Sequence, residues 1–254
     1  MFLHATGFNA LTYRHILAPL ARDWRILAVD QRGHGATTLT AAPDSLGDWC
    51  GYRDDLLALR ETLDINNVVL AGHSMGGTVA LLAAAAEPRF ARRLMLFDPV
   101  ILALHFSAFE GPFALAEGAA RRRAVYANRT EVFGSYRGRG AFVGWPDDML
   151  RDYIEDGFRE LPSGDVALAC EPSWEASTYR AQRHDSRAAF ASARCPMDIL
   201  VPEFNSACRF DPVAESAAAA TSMEMDRIRG AGHFLPMERP ELAREALMMA
   251  MSRG

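Results

Sequence analysis

The stretch Asn67–Pro88, NVVLAGHSMGGTVALLAAAAEP, decides the fold of this chain. Val68, Val69 and Leu70 are too apolar to leave one side of the backbone in water, which predicts a short buried strand. The pentapeptide Gly72–Gly76 follows, and the alanine-rich run after it predicts a helix. A strand, the pattern G-x-S-x-G and a helix in this order are the context of a nucleophile elbow.

The two glycines of this pentapeptide are needed because the turn is tight. Side chains two residues before and two residues after Ser74 would collide with their neighbours, and Ser74 itself takes a strained backbone conformation. The turn presents the Ser74 hydroxyl at the carboxyl edge of the sheet, near a helix amino terminus that favours developing negative charge. A chance glycine-serine turn is the alternative, but the flanking strand and helix make it the weaker interpretation. We therefore predict that Ser74 is a nucleophile.

The composition is that of a globular chain and argues against several kinds of partner. Half of the 254 residues are hydrophobic, and the net charge of −5 disfavours nucleic acid or an anionic membrane as the main partner. The basic residues are all arginine, so lysine-based chemistry is excluded. No apolar run approaches the length of a membrane span. The cysteines have neither a CxxC pattern nor zinc-ligand spacing, which favours a reduced, cytoplasmic protein; they are Cys50, Cys170, Cys195 and Cys208.

Predicted strands and helices alternate on both sides of a long interruption. The alternation predicts an α/β fold, a mostly parallel sheet with helices on both faces. Between residues 100 and 194 the alternation stops and aromatic residues accumulate, which predicts a helical cap inserted into a core of residues 1–99 and 195–254. The strands are predicted at 2–3, 24–29, 68–70, 93–97, 197–201 and 225–228, and the helices outside the elbow at 11–22, 51–63, 212–220 and 240–251.

A serine nucleophile needs a base, and His233 is the best candidate among the seven histidines. It lies in a glycine-rich loop after the last predicted strand, and such loops converge at the carboxyl edge of an open α/β sheet. The histidine in turn needs a carboxylate that fixes its tautomer. Asp98 is preferred, because it directly follows the strand expected beside the elbow strand. Glu203 and Asp211 remain alternatives, and an Asp-Pro turn without a catalytic role is the competing interpretation of Asp98.

A tetrahedral oxyanion needs backbone hydrogen-bond donors. In a nucleophile elbow one donor is the amide of the residue after the serine, here Met75. The second comes from the loop after the first strand, which indicates Thr6, with Gly7 next to it. Both donors are amides of the main chain, so the prediction depends on the loop conformation rather than on side-chain type.

Four motifs in this order resemble the α/β-hydrolase fold superfamily over essentially the whole chain except the cap. They are FLHATGFN at 2–9, VDQRGHG at 29–35, GHSMGG at 72–77 and GAGHFLPMERP at 230–240. The resemblance implies a triad of Ser74, His233 and an acid, with a helical lid over the pocket, as in carboxylesterases. The chain departs from the family in two ways. It begins at what would be the family's third strand, so that either the core is minimal, without the first hairpin, or the true start lies upstream. Asn205 stands at the common acid position, which shifts the choice to Asp98, a placement that some members use.

These observations together predict a soluble serine hydrolase that cleaves a small carboxylic ester through an acyl-enzyme intermediate. The same triad can also serve lactone hydrolysis, carbon–carbon bond hydrolysis, acyl transfer or perhydrolysis. A slow-turnover ligand-binding sensor is the alternative from a different class. We expect a small-molecule ester as the partner and neither a metal ion nor an organic cofactor, while the oligomeric state stays open.

Overall fold

The computed structural model describes residues 1–101, 111–209 and 223–253. Its strands are β1 (Phe2–Leu3), β2 (Ala28–Val29), β3 (Val68–His73), β4 (Ala91–Phe97), β5 (Val125–Tyr126), β6 (Phe158–Glu160), β7 (Val166–Leu168), β8 (Met197–Pro202) and β9 (Met223–Ile228). Among the described residues, six strands form one sheet in the order β2-β1-β3-β4-β8-β9, and every neighbouring pair in it is parallel. The predicted parallel sheet is therefore confirmed, although β2 is shorter than the strand expected at 24–29.

The α-helices of the described residues also follow the predicted alternation. They are α1 (Arg14–Leu17), α2 (Cys50–Thr62), α3 (Met75–Ala86), α4 (Gly111–Ala120), α5 (Arg129–Tyr136), α6 (Asp147–Gly157), α7 (Pro172–Arg180), α8 (Ser186–Ser192), α9 (Leu235–Glu238) and α10 (Pro240–Ser252). The helix predicted at 11–22 is instead α1 between two 3-10 segments, Leu11–Tyr13 and Ala18–Arg22. Pro19 has no N–H to donate, which prevents a continuous α-helix there. The helix predicted at 212–220 lies outside the described residues.

The sheet is covered on both faces, and its central strands show this in their side chains. Val69, Ala71 and Met95 belong to a core cluster that also contains residues of α1 and α10. Leu70 and Leu96, which alternate with them, belong to a second cluster with residues of α2 and α3. Since successive residues of a strand point to opposite faces, two cores require a nearly continuous apolar sequence. This explains why β3 has no polar side chain before His73, its last residue.

The segment predicted as a helical cap contains helices α4 to α8 and, in addition, a small sheet. Its three antiparallel strands have the order β5-β7-β6 and are two or three residues long. Strands this short cannot produce a visible period-two pattern, so the sequence analysis did not predict them. Phe142, Trp145 and Tyr153 of this segment pack into the same core cluster as one face of the large sheet. No helix of the described residues is long and apolar enough to cross a lipid bilayer.

Candidate active site

Ser74 occupies a strained turn between β3 and α3. Its backbone has φ 54° and ψ −120°, in the region that non-glycine residues rarely adopt. A Cβ atom on Gly72 would lie 2.4 Å from the carbonyl carbon of Gly76, and one on Gly76 would lie 2.3 Å from the carbonyl oxygen of Leu3. Both distances are far below van der Waals contact, so the predicted reason for the two glycines is confirmed.

Three predicted site residues meet at the carboxyl edge of the sheet. The Ser74 hydroxyl lies 3.1 Å from Nε2 of His233, and Nδ1 of the same ring lies 2.6 Å from Oδ2 of Asp98. The Asp98 side chain is fully buried, whereas that of His233 is 24% exposed. Ser74, Asp98 and His233 follow β3, β4 and β9, whose parallel strands end on the same side of the sheet. The hydroxyl, the imidazole and the carboxylate thus form one hydrogen-bonded line, the arrangement of nucleophile, base and orienting acid.

The environment of Asp98 keeps its carboxylate ionised. It accepts hydrogen bonds from the Ser206 hydroxyl at 2.6 Å, the Ala207 amide at 3.0 Å and the Cys208 amide at 3.3 Å. Burial alone would raise the pKa of Asp98, but the hydrogen bond and charge of His233 and the donors from the loop outweigh it and lower the pKa. An ionised Asp98 holds the proton on Nδ1 of His233, so that Nε2 faces Ser74 as an acceptor.

Among the described residues, neither alternative acid lies next to Nδ1 of His233. The Glu203 carboxylate accepts from the amide of Gly230 at 2.7 Å and makes no hydrogen bond with His233. Asn205 is exposed, with φ 55°. Asp211 lies outside the described residues. The loop after β8 reaches the site through Ser206, a hydroxyl that the sequence analysis missed because it searched that loop for a carboxylate.

Two amides near Ser74 are available as oxyanion donors, and a third is not. The Gly7 amide donates to Nε2 of His34 at 3.0 Å, so it is already engaged. The Thr6 amide has no acceptor among the described residues, and Met75, as the first residue of α3, has no intrahelical acceptor. The Thr6 hydroxyl lies 3.4 Å from the sulfur of Met75, so the two residues are neighbours. The geometry therefore favours Thr6 over Gly7.

His73 and Tyr13 link the loop after β1 to the loop that carries His233. The Nε2 atom of His73 donates to the carbonyl of His233 at 2.8 Å, which leaves Nδ1 to accept from the Tyr13 hydroxyl at 2.8 Å. The Tyr13 oxygen accepts in turn from the amide of Ala5 at 3.2 Å. Burial, and to a smaller extent the nearby His233, lowers the pKa of His73 to about 3, so the ring is neutral and keeps one nitrogen as donor and the other as acceptor. None of the sequence motifs pointed to Tyr13.

Two further buried histidines hold the loop after β1. Nδ1 of His34 donates to the carbonyl of Arg32 at 2.9 Å, and its other nitrogen therefore accepts from Gly7. Nε2 of His4 accepts from the amide of Gln31 at 2.9 Å. Burial lowers the pKa of His4 to about 4 and that of His34 to about 3. Both rings are thus neutral and support this loop.

A cavity of about 350 Å³ opens at Ser74 and His233. Its described wall includes Thr6 and Phe234, together with Val100, Leu115, Tyr179 and Gln182 from the stretch between β4 and β8. The cavity has the size of a small-molecule site. Within residues 1–101, 111–209 and 223–253, no group of three or more histidine, cysteine, aspartate or glutamate side chains is arranged to hold a metal ion.

Comparison with known proteins identifies relatives over nearly the full chain. A model of the alpha/beta hydrolase family matches residues 1–246. The chain is 26% identical over 249 residues to 2-(acetamidomethylene)succinate hydrolase from Mesorhizobium japonicum, a match that covers 97% of this chain and 85% of that protein.

Solved structures show the same fold. The crystal structure of E-2-(acetamidomethylene)succinate hydrolase superposes with a TM-score of 0.82 at 23% identity, covering 99% of this chain and 90% of the other. The peroxisomal α/β-hydrolase Lpx1 from Saccharomyces cerevisiae superposes with a TM-score of 0.79 at 20% identity, covering 99% and 76%. At these identities the structural likeness extends to the fold alone.

Proposed function

The chain belongs to the α/β-hydrolase family, and from that premise we propose that it is a serine hydrolase that cleaves a small carboxylic ester. The observation that carries this proposal is the hydrogen-bonded line from Ser74 through His233 to Asp98, with distances of 3.1 Å and 2.6 Å. A neutral imidazole within hydrogen-bond distance of a serine can act as its general base. A buried carboxylate on the far side of the ring then stabilises the imidazolium that forms.

The first half of the reaction is acylation. The Ser74 oxygen attacks the ester carbonyl while His233 takes the hydroxyl proton. The carbonyl oxygen becomes an oxyanion, which the amides of Thr6 and Met75 stabilise. When the tetrahedral intermediate collapses, His233 gives its proton to the leaving alkoxide, and the acyl group stays on Ser74. Deacylation repeats these steps with water as the nucleophile and restores the free hydroxyl.

Residues 100–194 are proposed to act as a cap over the pocket. Leu115, Tyr179 and Gln182 lie in this segment and line the same cavity as Ser74. A wall of this kind excludes bulk water from the reacting atoms and selects the substrate by shape. A cytoplasmic location is proposed with it, since Cys50, Cys170 and Cys195 carry free thiols, as expected in a reducing compartment.

The test is hydrolysis of short-chain para-nitrophenyl esters together with labelling by a fluorophosphonate probe. We expect the purified chain to turn over repeatedly and Ser74→Ala to lose both probe labelling and at least about 10³-fold in kcat. Ser252→Ala, an exposed serine at the end of α10, is the matched control and should leave both unchanged. Equal activity of Ser74→Ala and the wild-type chain would refute the proposal. A single burst without further turnover would indicate the sensor instead.

A second candidate is hydrolysis of an acetamido compound, favoured by the likeness to a 2-(acetamidomethylene)succinate hydrolase over 97% of this chain. The same nucleophile, base and oxyanion donors can act on an amide carbonyl. Acetate release from 2-(acetamidomethylene)succinate, measured beside para-nitrophenyl acetate hydrolysis, distinguishes the two. The candidate with the higher kcat/KM is retained.

A further inference from the structure

The part of the active-site cavity wall that the structure describes carries one permanent charge. Among the described residues that line it, Arg209 is the sole side chain that is charged at every pH near neutrality. The other polar wall residues beyond Ser74 and His233 are uncharged amides and hydroxyls, and the remainder is apolar, with Val100, Leu115 and Phe234 as examples. A guanidinium beside an apolar surface interacts with an anion more strongly than it would in open water.

The backbone of Arg209 has a defined position relative to the acid of the site. Its amide donates to the carbonyl of Ile101 at 2.7 Å, and the preceding residue, Cys208, forms a parallel bridge with Ile101. The amides of Ala207 and Cys208 both donate to Asp98. The segment that carries Arg209 is thus tied to the strand end that carries Asp98. An anion bound by the guanidinium would therefore lie within a limited range of distances from Ser74.

The Arg209 side chain has no counter-ion within the described residues. None of the aspartates and glutamates of residues 1–101, 111–209 and 223–253 forms an ion pair with it, and its side chain is exposed. Arg209 differs in this respect from Arg122, which forms an ion pair with Glu175 inside the segment 100–194. As far as the described residues are concerned, the planar fork of Arg209 remains available for an external group, and a carboxylate is the partner that its geometry matches with two parallel hydrogen bonds.

Uncharged donors stand elsewhere on the same wall. Tyr179 and Gln182 line the cavity, and neither the hydroxyl nor the amide makes a hydrogen bond with another residue of the described chain. Tyr179 is held in place through its neighbour Thr178, whose carbonyl accepts from the Trp49 indole at 2.9 Å. Burial raises the pKa of Tyr179, so its hydroxyl keeps its proton and can donate. These groups would add hydrogen bonds to an oxygen-rich substrate without repelling a negative charge.

We propose that Arg209 is a specificity-determining residue that binds a carboxylate of the substrate, so that small esters bearing a free carboxylate are the preferred substrate class. The inference deepens the proposed function and rests on it. The chain has a net charge of −5 and so does not attract anions as a whole. Selectivity for an anionic ester must then come from a local cation. Among the described residues that line the cavity, that cation is Arg209.

The experiment compares two substrates that differ in charge and little else. The mono-para-nitrophenyl ester of adipic acid carries a free carboxylate, and its methyl ester is neutral. We expect the wild-type chain to favour the anionic substrate in kcat/KM. Arg209→Ala should lower kcat/KM for the anionic ester by about 10- to 100-fold, mainly through KM, because a charge-assisted hydrogen bond that forms in substrate binding is lost. Turnover of the neutral ester should change less than about twofold.

Two variants separate the local effect from the change in net charge. Arg22→Ala removes an exposed arginine that does not line the cavity, so it should leave the ratio of the two kcat/KM values unchanged. Arg209→Lys keeps the charge but not the planar fork, and it should retain part of the preference. An equal effect of Arg22→Ala and Arg209→Ala would overturn the assignment, as would an equal loss on both substrates.

A readout without turnover keeps failure of this inference distinct from failure of the proposed function. Monomethyl adipate should slow the labelling of Ser74 by a fluorophosphonate in the wild-type chain and lose this effect in Arg209→Ala. If Ser74 is labelled and neutral esters are hydrolysed, but the adipate derivative neither protects nor reacts faster, the carboxylate subsite is refuted and the serine hydrolase stands. If Ser74 is not labelled and neither ester is hydrolysed, the proposed function itself fails, and this inference with it.

Discussion

Replacement of Asp98 by asparagine removes the charge next to His233 while leaving the shape of the side chain nearly unchanged. In the proposed reaction His233 becomes an imidazolium whose Nδ1 lies 2.6 Å from the Asp98 carboxylate. Two unit charges about 4 Å apart interact by about 4 kcal/mol at the effective dielectric of a partly buried site. Each 1.36 kcal/mol on the barrier is about tenfold in rate. Loss of the charge alone therefore predicts that kcat falls by about 10³-fold.

The orientation of the new amide decides whether the loss is larger. If its nitrogen faced His233, the ring would be held in the wrong tautomer, which lowers kcat by about 10⁴ in serine triads. The Ala207 amide, however, donates to the same Oδ2 atom of Asp98 at 3.0 Å. An amide nitrogen at that position would face the Ala207 N–H at 3.0 Å. At the other oxygen it would face the Cys208 N–H at the longer distance of 3.3 Å, and the Ser206 hydroxyl there can rotate and accept. The structure thus favours the smaller value, a loss of about 10³-fold.

The assay is ester hydrolysis under saturating substrate, with thermal unfolding to verify that the variant folds. Glu203→Gln is the matched control, because Glu203 is an acid of the neighbouring loop that binds the Gly230 amide rather than His233. Its kcat should remain within about threefold of wild type, since the substitution changes none of the groups that form the hydrogen bonds between Ser74, His233 and Asp98. A loss below tenfold for Asp98→Asn, or a larger loss for Glu203→Gln, would refute the assignment of the acid.

Three other predictions concern stability. Gly76→Ala should prevent a native fold or lower the melting temperature strongly, because the added Cβ would lie 2.3 Å from the backbone oxygen of Leu3. Arg122→Ala should lower the free energy of unfolding by about 3 kcal/mol at neutral pH, because it leaves a buried Glu175 without its ion-pair partner. Acidification should also destabilise the chain, because three buried rings have folded pKa values of about 3 to 4, those of His4, His34 and His73. Below about pH 6.5 the unfolded state therefore binds more protons than the folded state, and the free energy of unfolding falls as pH drops. The three rings together lower it by up to about 4 kcal/mol per pH unit.

Matched variants and denaturant curves check these three expectations. Gly118→Ala, in α4, has nothing within 4 Å of the added Cβ and should be neutral or stabilising. Arg121→Ala removes an exposed arginine next to Arg122 and should change the free energy of unfolding by less than about 0.5 kcal/mol. Guanidinium unfolding at pH 7.5, 6.0 and 5.0 measures the acid effect. A free energy of unfolding that stays constant over this range would contradict the neutral, buried state of the three rings.

The local part of the site was predictable from sequence, because steric rules over a few residues specify it. The spacing of Gly72, Ser74 and Gly76 after an apolar strand leaves little choice, since larger residues on either side of the serine would collide with backbone. The alternation of strands and helices predicted the parallel sheet for a similar reason: each element must bury its own apolar face. Irregular and very short elements, such as the 3-10 segments around α1 and the small sheet β5-β7-β6, have no such periodic signal.

Which groups meet across the sheet was decided by tertiary structure. His233 and Asp98 are 135 positions apart in the sequence, and their contact depends on the strand order β3-β4-β8-β9. The sequence alone left Glu203 and Asp211 open, because Glu203, like Asp98, follows a predicted strand closely and Asp211 lies between that strand and the next predicted helix. The sequence indicated Thr6, with Gly7 next to it, but the hydrogen bond that engages the Gly7 amide, to Nε2 of His34, is formed only in the tertiary structure. A turn is specified by its own residues, whereas a contact between distant loops is specified only when the whole sheet brings their ends together.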